Sequence, residues 1–334
     1  MLEAKNKSDF PIDAVITWVD GRAPNFRKKR NKYLDEIEVK QINKSHRYHE
    51  VGELYFVIKS IFKFAPFIRT IHIVTDNQIP EVINKSKGWS KYYRDKIKIV
   101  DHKEIFREYK EVLPSFNILS IESLLYKIIG LAEHFIYFND DMFLIKPTSP
   151  IDWFQNGLPV IRGHWISFSD RLWYKKVASI LFFHKKRRWS FKKMQERAAK
   201  IVGYQRKYFR TYHNPRALTK THFSSFFERE KTDLEQQIKP RFRTNNQFNA
   251  YVLSWHYALK KKEAITSNEL NLEEVNFSVI NRPEKVLNAI RKANATKTTL
   301  FLNLQNLELV NKNSLQTIID ELEQILHIDL TKVP

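Results

Sequence analysis

Apolar residues in the first half of the chain form short continuous runs that alternate with helically spaced stripes. The runs predict strands at Ile12 to Val19, Thr70 to Thr75, Lys96 to Val100 and Phe135 to Phe138. The stripes predict two amphipathic helices, one made by Leu54, Val57, Ile58, Ile61 and Phe62, the other by Ile121, Leu124, Leu125 and Ile128. Strands separated by helices are typical of an α/β fold with a mostly parallel sheet and helices on both faces.

The second half of the chain has a less regular, mainly helical pattern, so we expect a division near residue 150. Its last segment predicts a helix capped by Asn313, with the apolar stripe Leu315, Ile318, Ile319, Leu322, Ile325 and Leu326. Residues 165 to 195 interleave aromatic side chains with lysines and arginines. Two interpretations of that stretch stay open: a surface for an anionic membrane, or a solvated helical face whose aromatic side chains point inward.

Composition narrows the classes of partner. The chain has 334 residues, 43% of them hydrophobic, which is enough for one large or two modest folded domains. Its net charge of +20 predicts a polyanionic partner: nucleic acid, an anionic membrane surface or a phosphorylated substrate. No recognised nucleic-acid motif is present, which disfavours nucleic acid. No apolar run approaches the ~20 residues of a membrane-spanning helix, and the absence of cysteine suits a reducing cytoplasm.

The strongest local signal for chemistry is the acidic segment Asn139-Asp140-Asp141, which directly follows an apolar strand. In open α/β sheets, ligands bind beyond the carboxyl ends of the strands. Two adjacent carboxylates at such a place favour a hard cation, Mg²⁺ or Mn²⁺, held at Asp140 and Asp141 and bridging a diphosphate. The alternative is a simple turn that caps the next segment.

Several other polar residues have an ordinary structural interpretation beside a functional one. Glu122 lies near the start of the second predicted helix, where the helix dipole favours an acid. Asp13 lies inside an apolar strand, so its burial requires a hydrogen-bonding partner or a ligand. Asp20-Gly21 is also a common turn signal. His213 could act as a general base and Arg243 could grip phosphate oxygens, but nothing in their local pattern separates them from the other histidines and arginines.

Taken together, these segments resemble the Stealth family, which includes bacterial capsule polymerases and the animal GlcNAc-1-phosphotransferase. The resemblance rests on IDAVITWVDG at Ile12 to Gly21, on the segment from Arg47 to Pro80, on LPSFNILSIES and FIYFNDDMFLIKP, and on HNPRALTK followed by FRTNNQF. Any one motif is weak. Their order along residues 12 to 260 is what makes the resemblance specific.

The resemblance implies a fold similar to the glycosyltransferase-A and Rossmann folds, and a set of site residues. The resemblance implies that the family's essential acids correspond to Glu122 and Asp141, and its essential histidine and arginine to His213 and Arg243. It further implies a divalent cation at Asp141 and nucleotide-binding residues, which are Asp13, Trp18, Asp20, Gly21, Arg47 and Asn117. Residues 1–150 would then bind a nucleotide sugar and residues 151–334 would complete the site, as one continuous catalytic unit.

The implied activity is transfer of a hexose 1-phosphate from a UDP-hexose or UDP-N-acetylhexosamine to a hydroxyl of a glycan or lipid-linked oligosaccharide. This reaction releases UMP and leaves a phosphodiester in a capsular or other cell-surface polysaccharide. One rival is a metal-dependent glycosyltransferase that releases UDP, and another is a non-catalytic basic protein that binds anionic glycan or membrane. The expected location is the cytoplasm, peripheral on the inner face of the plasma membrane.

Overall fold

The computed structural model describes residues 9–34, 51–169, 190–277 and 282–333. Arg47 and most of the basic and aromatic stretch at 165 to 195 lie outside these ranges, so the predictions made for them stay predictions.

The described ranges contain strands and helices that alternate through the first half of the chain and mix in the second. The strands are β1 (Ile12–Thr17), β2 (Ile68–Thr75), β3 (Ile97–Asp101), β4 (His134–Asn139), β5 (Met142–Leu144), β6 (Phe154–Gln155), β7 (Leu158–Arg162), β8 (His164–Ser167), β9 (Lys207–Arg210), β10 (Arg216–Thr219), β11 (Ile265–Ser267), β12 (Leu272–Asn276) and β13 (Phe301–Gln305). The α-helices are α1 (Pro24–Asn31), α2 (Glu53–Phe64), α3 (Glu81–Lys85), α4 (Lys91–Asp95), α5 (His102–Ile105), α6 (Ile118–Glu122), α7 (Phe191–Ile201), α8 (Lys220–Arg229), α9 (Lys231–Ile238), α10 (Ala250–Lys261), α11 (Pro283–Ala295) and α12 (Lys312–Leu326).

The largest sheet has five strands in the order β10-β4-β1-β2-β3. Strands β4, β1, β2 and β3 run parallel, and β10 joins the outer side of β4 in the antiparallel direction. The chain builds outward from β1 to β2 and β3 on one side, then returns to place β4 on the other. The mostly parallel α/β sheet predicted from the sequence is therefore confirmed.

Each strand of this sheet sends alternate side chains into two separate cores, as the two-residue period of a strand requires. In β1, Ile12, Ala14 and Ile16 join one core, and Val15 joins the other. The first core packs α2, α11 and α12 against the sheet, and it combines side chains from both halves of the chain. The second core packs α8 and α10 on the opposite face. Helices thus cover both faces of the sheet.

The second half adds three smaller sheets around this centre. They have the strand orders β11-β7-β6, β12-β13-β5 and β8-β9. In the second of them, β13 runs antiparallel to β5, and only two residues, Asp140 and Asp141, separate β5 from the end of β4. The acidic segment therefore lies between β4, a strand of the largest sheet, and β5, a strand of this smaller sheet.

Two details of the predicted helices are wrong. The stripe from Ile121 to Ile128 does not form one helix, because α6 ends at Glu122 and a 3₁₀ turn follows at Leu125–Lys127. Glu122 is consequently the last residue of α6 instead of an early residue of a longer helix. In α12, the cap is Asn311, whose side chain accepts a hydrogen bond from the amide of Ser314. The predicted cap, Asn313, lies inside the helix.

Candidate active site

The polar residues singled out above gather at the carboxyl ends of the parallel strands. The strand order reverses between β1 and β4, and ligands in open α/β sheets bind at such a switch point. Thr17 and Asn139, the last residues of these two strands, lie directly opposite each other in the register. Asp140 and Asp141 follow Asn139, and the segment that leads into β10 brings His213 to the same edge.

Asp141 and His213 form the most direct contact among the predicted residues. The imidazole Nε2 of His213 lies 3.2 Å from each carboxylate oxygen of Asp141. The backbone carbonyl of Asp141 accepts hydrogen bonds from the side chain of Asn303 and the amide of Leu304 in β13, which fixes the position of the acid. Burial alone would raise the pKa of the Asp141 carboxyl, but His213, Asn303 and Arg216 outweigh it and lower that pKa. Asp141 is therefore an anion at neutral pH.

Arg216 is a central residue of this cluster that the sequence analysis missed. Its side chain is 1% exposed, and its guanidinium donates through Nη1 to Asn139 Oδ1 at 2.9 Å. Nη2 lies 3.4 Å from His213 Nδ1, and the guanidinium stacks over the rings of Tyr251 and Tyr137. The available signal was an arginine opening a buried strand, three residues after His213, where an apolar residue is expected.

The Arg216 contact also fixes which nitrogen of His213 carries the proton. Arginine donates hydrogen bonds and accepts none, so Nδ1 of His213 is the acceptor in this contact. In the neutral imidazole the proton then lies on Nε2, facing Asp141. Nδ1 has a single lone pair, and at 3.4 Å its bond from Arg216 is long and weak, so another donor can replace Arg216 there.

Glu122 is buried beside the same arginine. Its side chain is 4% exposed, Oε1 accepts a hydrogen bond from the hydroxyl of Tyr137 at 3.0 Å, and Oε2 has no hydrogen-bond partner among the described residues. Burial raises the pKa of the Glu122 carboxyl, although Arg216, Tyr137, Arg243 and His213 act in the opposite direction. The four residues predicted to act together, Glu122, Asp141, His213 and Arg243, thus interact in one cluster.

Asn117 connects this cluster to the segment that carries Arg243. Its side-chain amide donates to the carbonyls of Pro240 and Phe242 and to Oε1 of Gln247, and its Oδ1 caps α6 at the amide of Leu119. These bonds use the hydrogen-bonding capacity of a fully buried side chain. Asn117 therefore positions Arg243 and Glu122, and a direct nucleotide contact from it has no support in the structure.

Asp13 lies at the other end of β1, away from the switch point. Its buried carboxylate accepts two hydrogen bonds from the guanidinium of Arg69 and one from the amide of Ala132. It also lies 3.1 Å from His72 Nε2. Of the two explanations that the sequence left open for its burial, the structure supplies the internal partner. We leave Asp13 out of the proposed nucleotide site.

A cleft opens beside the cluster. Asp140 and Arg243 line one part of it, together with Asn139. Trp18 and Val19, just after β1, line another part. Asp20 and Gly21 do not line it; they form a turn in which the Asp20 carboxylate accepts from the amide of Arg22 and its backbone pairs with Gln78. The cleft therefore joins the acidic segment to a largely aromatic chamber.

The donor set suits a divalent cation only in cooperation with a substrate. Asp140 and Asp141 offer carboxylate oxygens, the ligands that Mg²⁺ and Mn²⁺ prefer. Across the described ranges, no group of three or more His, Cys, Asp or Glu side chains is arranged to hold a metal ion. Mg²⁺ in phosphate-transfer sites is usually held by one or two carboxylates together with substrate phosphates. These residues fit that type of site.

Comparison with known proteins now identifies the family. The family models "Stealth protein CR1, conserved region 1" and "Stealth protein CR2, conserved region 2" match residues 10–38 and 47–161. The capsular polysaccharide phosphotransferase LcbA of Aeromonas hydrophila is 31% identical over 275 residues, which are 76% of this chain and 68% of that protein. The chain belongs to the Stealth family. The first conserved region contains β1 and Trp18, which lines the cleft, and the second contains Glu122 and the acidic segment.

Other Stealth relatives match shorter parts of their own length. A capsular polysaccharide phosphotransferase of Haemophilus influenzae is 34% identical over 75% of this chain and 65% of its own. An exopolysaccharide phosphotransferase of Streptomyces coelicolor is 43% identical, but over only 43% of this chain and 25% of that protein. Among solved structures, the galactosyltransferase LgtC in complex with donor and acceptor sugar analogs is similar at 12% identity and a TM-score of 0.47, over 96% of this chain and 97% of that one.

Proposed function

We propose that this Stealth protein transfers a hexose 1-phosphate from a UDP-sugar to a hydroxyl of a glycan, with release of UMP, during synthesis of a capsular or other cell-surface polysaccharide. The observation that carries the proposal is the cluster itself: two acids, a histidine and two arginines, brought together from distant parts of the chain at the switch point of the sheet. The phosphotransferase names of the relatives support the reaction class.

Phosphoryl transfer asks a protein mainly for positioning and charge neutralisation. Arg243, which lines the cleft beside Asp140, is placed to hold phosphate oxygens of the donor. The acceptor oxygen attacks the β-phosphorus, the bond from that phosphorus to the bridging oxygen breaks, and the oxygen leaves with UMP. The bond between the sugar and its phosphate stays intact.

His213 is the proposed base for the acceptor hydroxyl. Asp141 holds the Nε2 proton and so fixes the plane of the ring, and Nδ1 takes the acceptor's proton in exchange for its weak bond from Arg216. Glu122 is buried beside Arg216 behind the ring and interacts with its guanidinium. A cation bound at Asp140 and Asp141 with the diphosphate would neutralise charge on the departing phosphate.

The acceptor is proposed to be a glycan or lipid-linked oligosaccharide, and the donor a UDP-hexose or UDP-N-acetylhexosamine. No helix within the described ranges is long and apolar enough to cross a membrane. Attachment to the inner face of the membrane through the basic surface remains part of the proposal, since a net charge of +20 attracts anionic lipid.

Incubation with a panel of UDP-hexoses and UDP-N-acetylhexosamines, with Mg²⁺ or Mn²⁺ and an oligosaccharide acceptor, tests the proposal. Chromatography of the nucleotide products should show UMP in amounts equal to the transferred sugar, and none when a chelator replaces the cation. Release of UDP would favour the glycosyltransferase alternative. No nucleotide release with any donor would favour a binding protein.

A further inference from the structure

The aromatic chamber of the cleft lies on the far side of Thr17 from the acidic segment, toward β2 and β3. It is lined by Phe26 of α1, Phe116, Val74 of β2 and His102 at the start of α5. Phe26 and Phe116 meet edge to face at 5.4 Å, and Phe116 stacks on Phe242 at 5.2 Å. Flat apolar walls of this kind suit a flat ring, and the acidic segment at the other end suits its attached phosphates.

Three buried polar atoms on residues that line this chamber have no hydrogen-bond partner among the residues that the structure describes. They are Trp18 Nε1, His102 Nδ1 and Ser115 Oγ. The three residues are 6%, 2% and 1% exposed, respectively. A buried polar group without a partner costs about 1–3 kcal/mol, so three around one cavity indicate a ligand that satisfies them.

We propose that this chamber binds the uracil ring of the donor through Trp18, His102 and Ser115, and that these residues select uracil over cytosine. The inference rests on the proposed function and adds the residues that recognise the base. The Watson–Crick edge of uracil carries two carbonyl acceptors and one N–H donor. Trp18 can only donate, Ser115 can donate, and a neutral imidazole nitrogen can accept. The numbers of donors and acceptors therefore match.

Cytosine lacks the N–H donor of this edge and presents an amino group in place of one carbonyl. Paired in the same order, N3 of cytosine would face the accepting imidazole nitrogen as a second acceptor, so that contact would lack a hydrogen bond unless the buried imidazole changed its tautomer. An unmatched buried polar group of this kind is the usual source of strong discrimination between similar ligands.

The imidazole of His102 is suited to accept a hydrogen bond because it is neutral at physiological pH. Burial lowers its pKa to about 4; Asp76 and Asp101 raise the pKa, and Lys29 lowers it further. The contact with uracil should therefore not change between mildly acidic and neutral pH.

Calorimetric titration of the whole chain with UMP, CMP and AMP in the presence of Mg²⁺ tests the inference without turnover. UMP should bind at least about tenfold more tightly than CMP, which is the effect of one matched buried hydrogen bond. Equal affinities for UMP and CMP, or no binding of UMP, would overturn the inference, and this comparison needs no variant.

Two variants locate the contact. Ser115→Ala should weaken UMP about three- to tenfold, and His102→Gln, which can donate as well as accept, should bring the UMP to CMP ratio close to one. The control is Ser86→Ala, which removes another buried serine hydroxyl, one bonded to Ile83 O outside the cleft, and should bind UMP as the wild type does. Wild-type behaviour of both cleft variants would assign the base to another place.

The outcome is separable from that of the proposed function. Preferred binding of UMP together with release of UDP during turnover would leave the uracil chamber standing and contradict the phosphotransferase. UMP release without any preference for uracil would do the reverse.

Discussion

Arg216 explains how several polar side chains coexist in a buried cluster. Its guanidinium joins Asn139, at the end of β4, to His213, just before β10, and stacks over two tyrosine rings. A buried charge is costly unless it is paired and hydrogen-bonded, and here the carboxylates of Glu122 and Asp141 both interact with it. Arg216 therefore acts as a positioning residue for His213.

Replacing Arg216 should distinguish the effect of the two-sided guanidinium contact from the effect of its positive charge. Arg216→Lys keeps the charge but cannot contact Asn139 and His213 together, so we expect turnover to fall about 100-fold with a small change in donor KM. Steady-state kinetics measures this split. The matched control is Arg291→Lys, at an exposed ion pair with Glu321, which should retain wild-type turnover. Unchanged turnover of Arg216→Lys would remove the positioning role.

The raised pKa of the Glu122 carboxyl predicts how the free energy of unfolding changes with pH. Burial raises the pKa of its carboxyl despite the opposing effects of Arg216, Tyr137, Arg243 and His213, so the folded state holds the proton more tightly than the unfolded state. The free energy of unfolding of the wild type therefore falls as pH rises from the unfolded pKa through the folded one.

Glu122→Gln lacks this titration and keeps an oxygen for Tyr137. Its free energy of unfolding, minus that of the wild type, should increase between about pH 5 and about pH 8. Urea denaturation at the two pH values measures the difference. Its turnover should nonetheless drop about 100-fold. A difference that shrinks with rising pH would contradict the assigned environment of this carboxyl.

At the scale of the elements, two asparagine caps have different tasks. Asn117 caps α6 and also binds the carbonyls of Pro240 and Phe242, so it ties Glu122 to the segment that carries Arg243. Asn311 caps α12, on the helical layer that packs with α2 and α11, and its side chain bonds to the amide of Ser314.

The two alanine variants should therefore separate stability from activity. Asn311→Ala should cost about 1 kcal/mol of unfolding free energy with unchanged turnover. Asn117→Ala should cost about 2–3 kcal/mol, because buried carbonyls lose their donor, and should also lower turnover. Denaturant midpoints and rates measure both effects. Equal activities of the two variants would show that the bonds of Asn117 do not position the site.

The sequence predicted the sheet better than the helices. Strands β1, β2 and β4 are largely buried on both faces, so their apolar runs are nearly continuous, whereas the edge strand β3 exposes Lys98 and Ile99. The order of the strands follows from the alternation with helices. The stripe at Ile121 to Ile128 misled because side chains packed around a turn can mimic helical spacing. Arg216 escaped notice because its role depends on β10 pairing with β4, a contact between residues about 80 positions apart.

For the whole molecule, the net charge of +20 supports an electrostatic attachment to anionic surfaces. Cosedimentation with phosphatidylglycerol vesicles should be strong at low salt and largely lost in ~1 M NaCl, where the Debye length is ~3 Å. Vesicles of phosphatidylcholine alone should not pellet the protein. Binding that ignores salt would point to an apolar attachment instead.

Tracing one oxygen atom tests the central claim most directly. The substrate is UDP-N-acetylglucosamine, or whichever UDP-sugar the donor panel selects, with ¹⁸O between the anomeric carbon and the β-phosphorus. If the cluster of Glu122, Asp141, His213 and Arg243 directs attack at that phosphorus, mass spectrometry and ³¹P NMR will find the label in a phosphodiester on the acceptor, with unlabelled UMP. Label in released UDP, with a product that contains no phosphorus, would contradict the account.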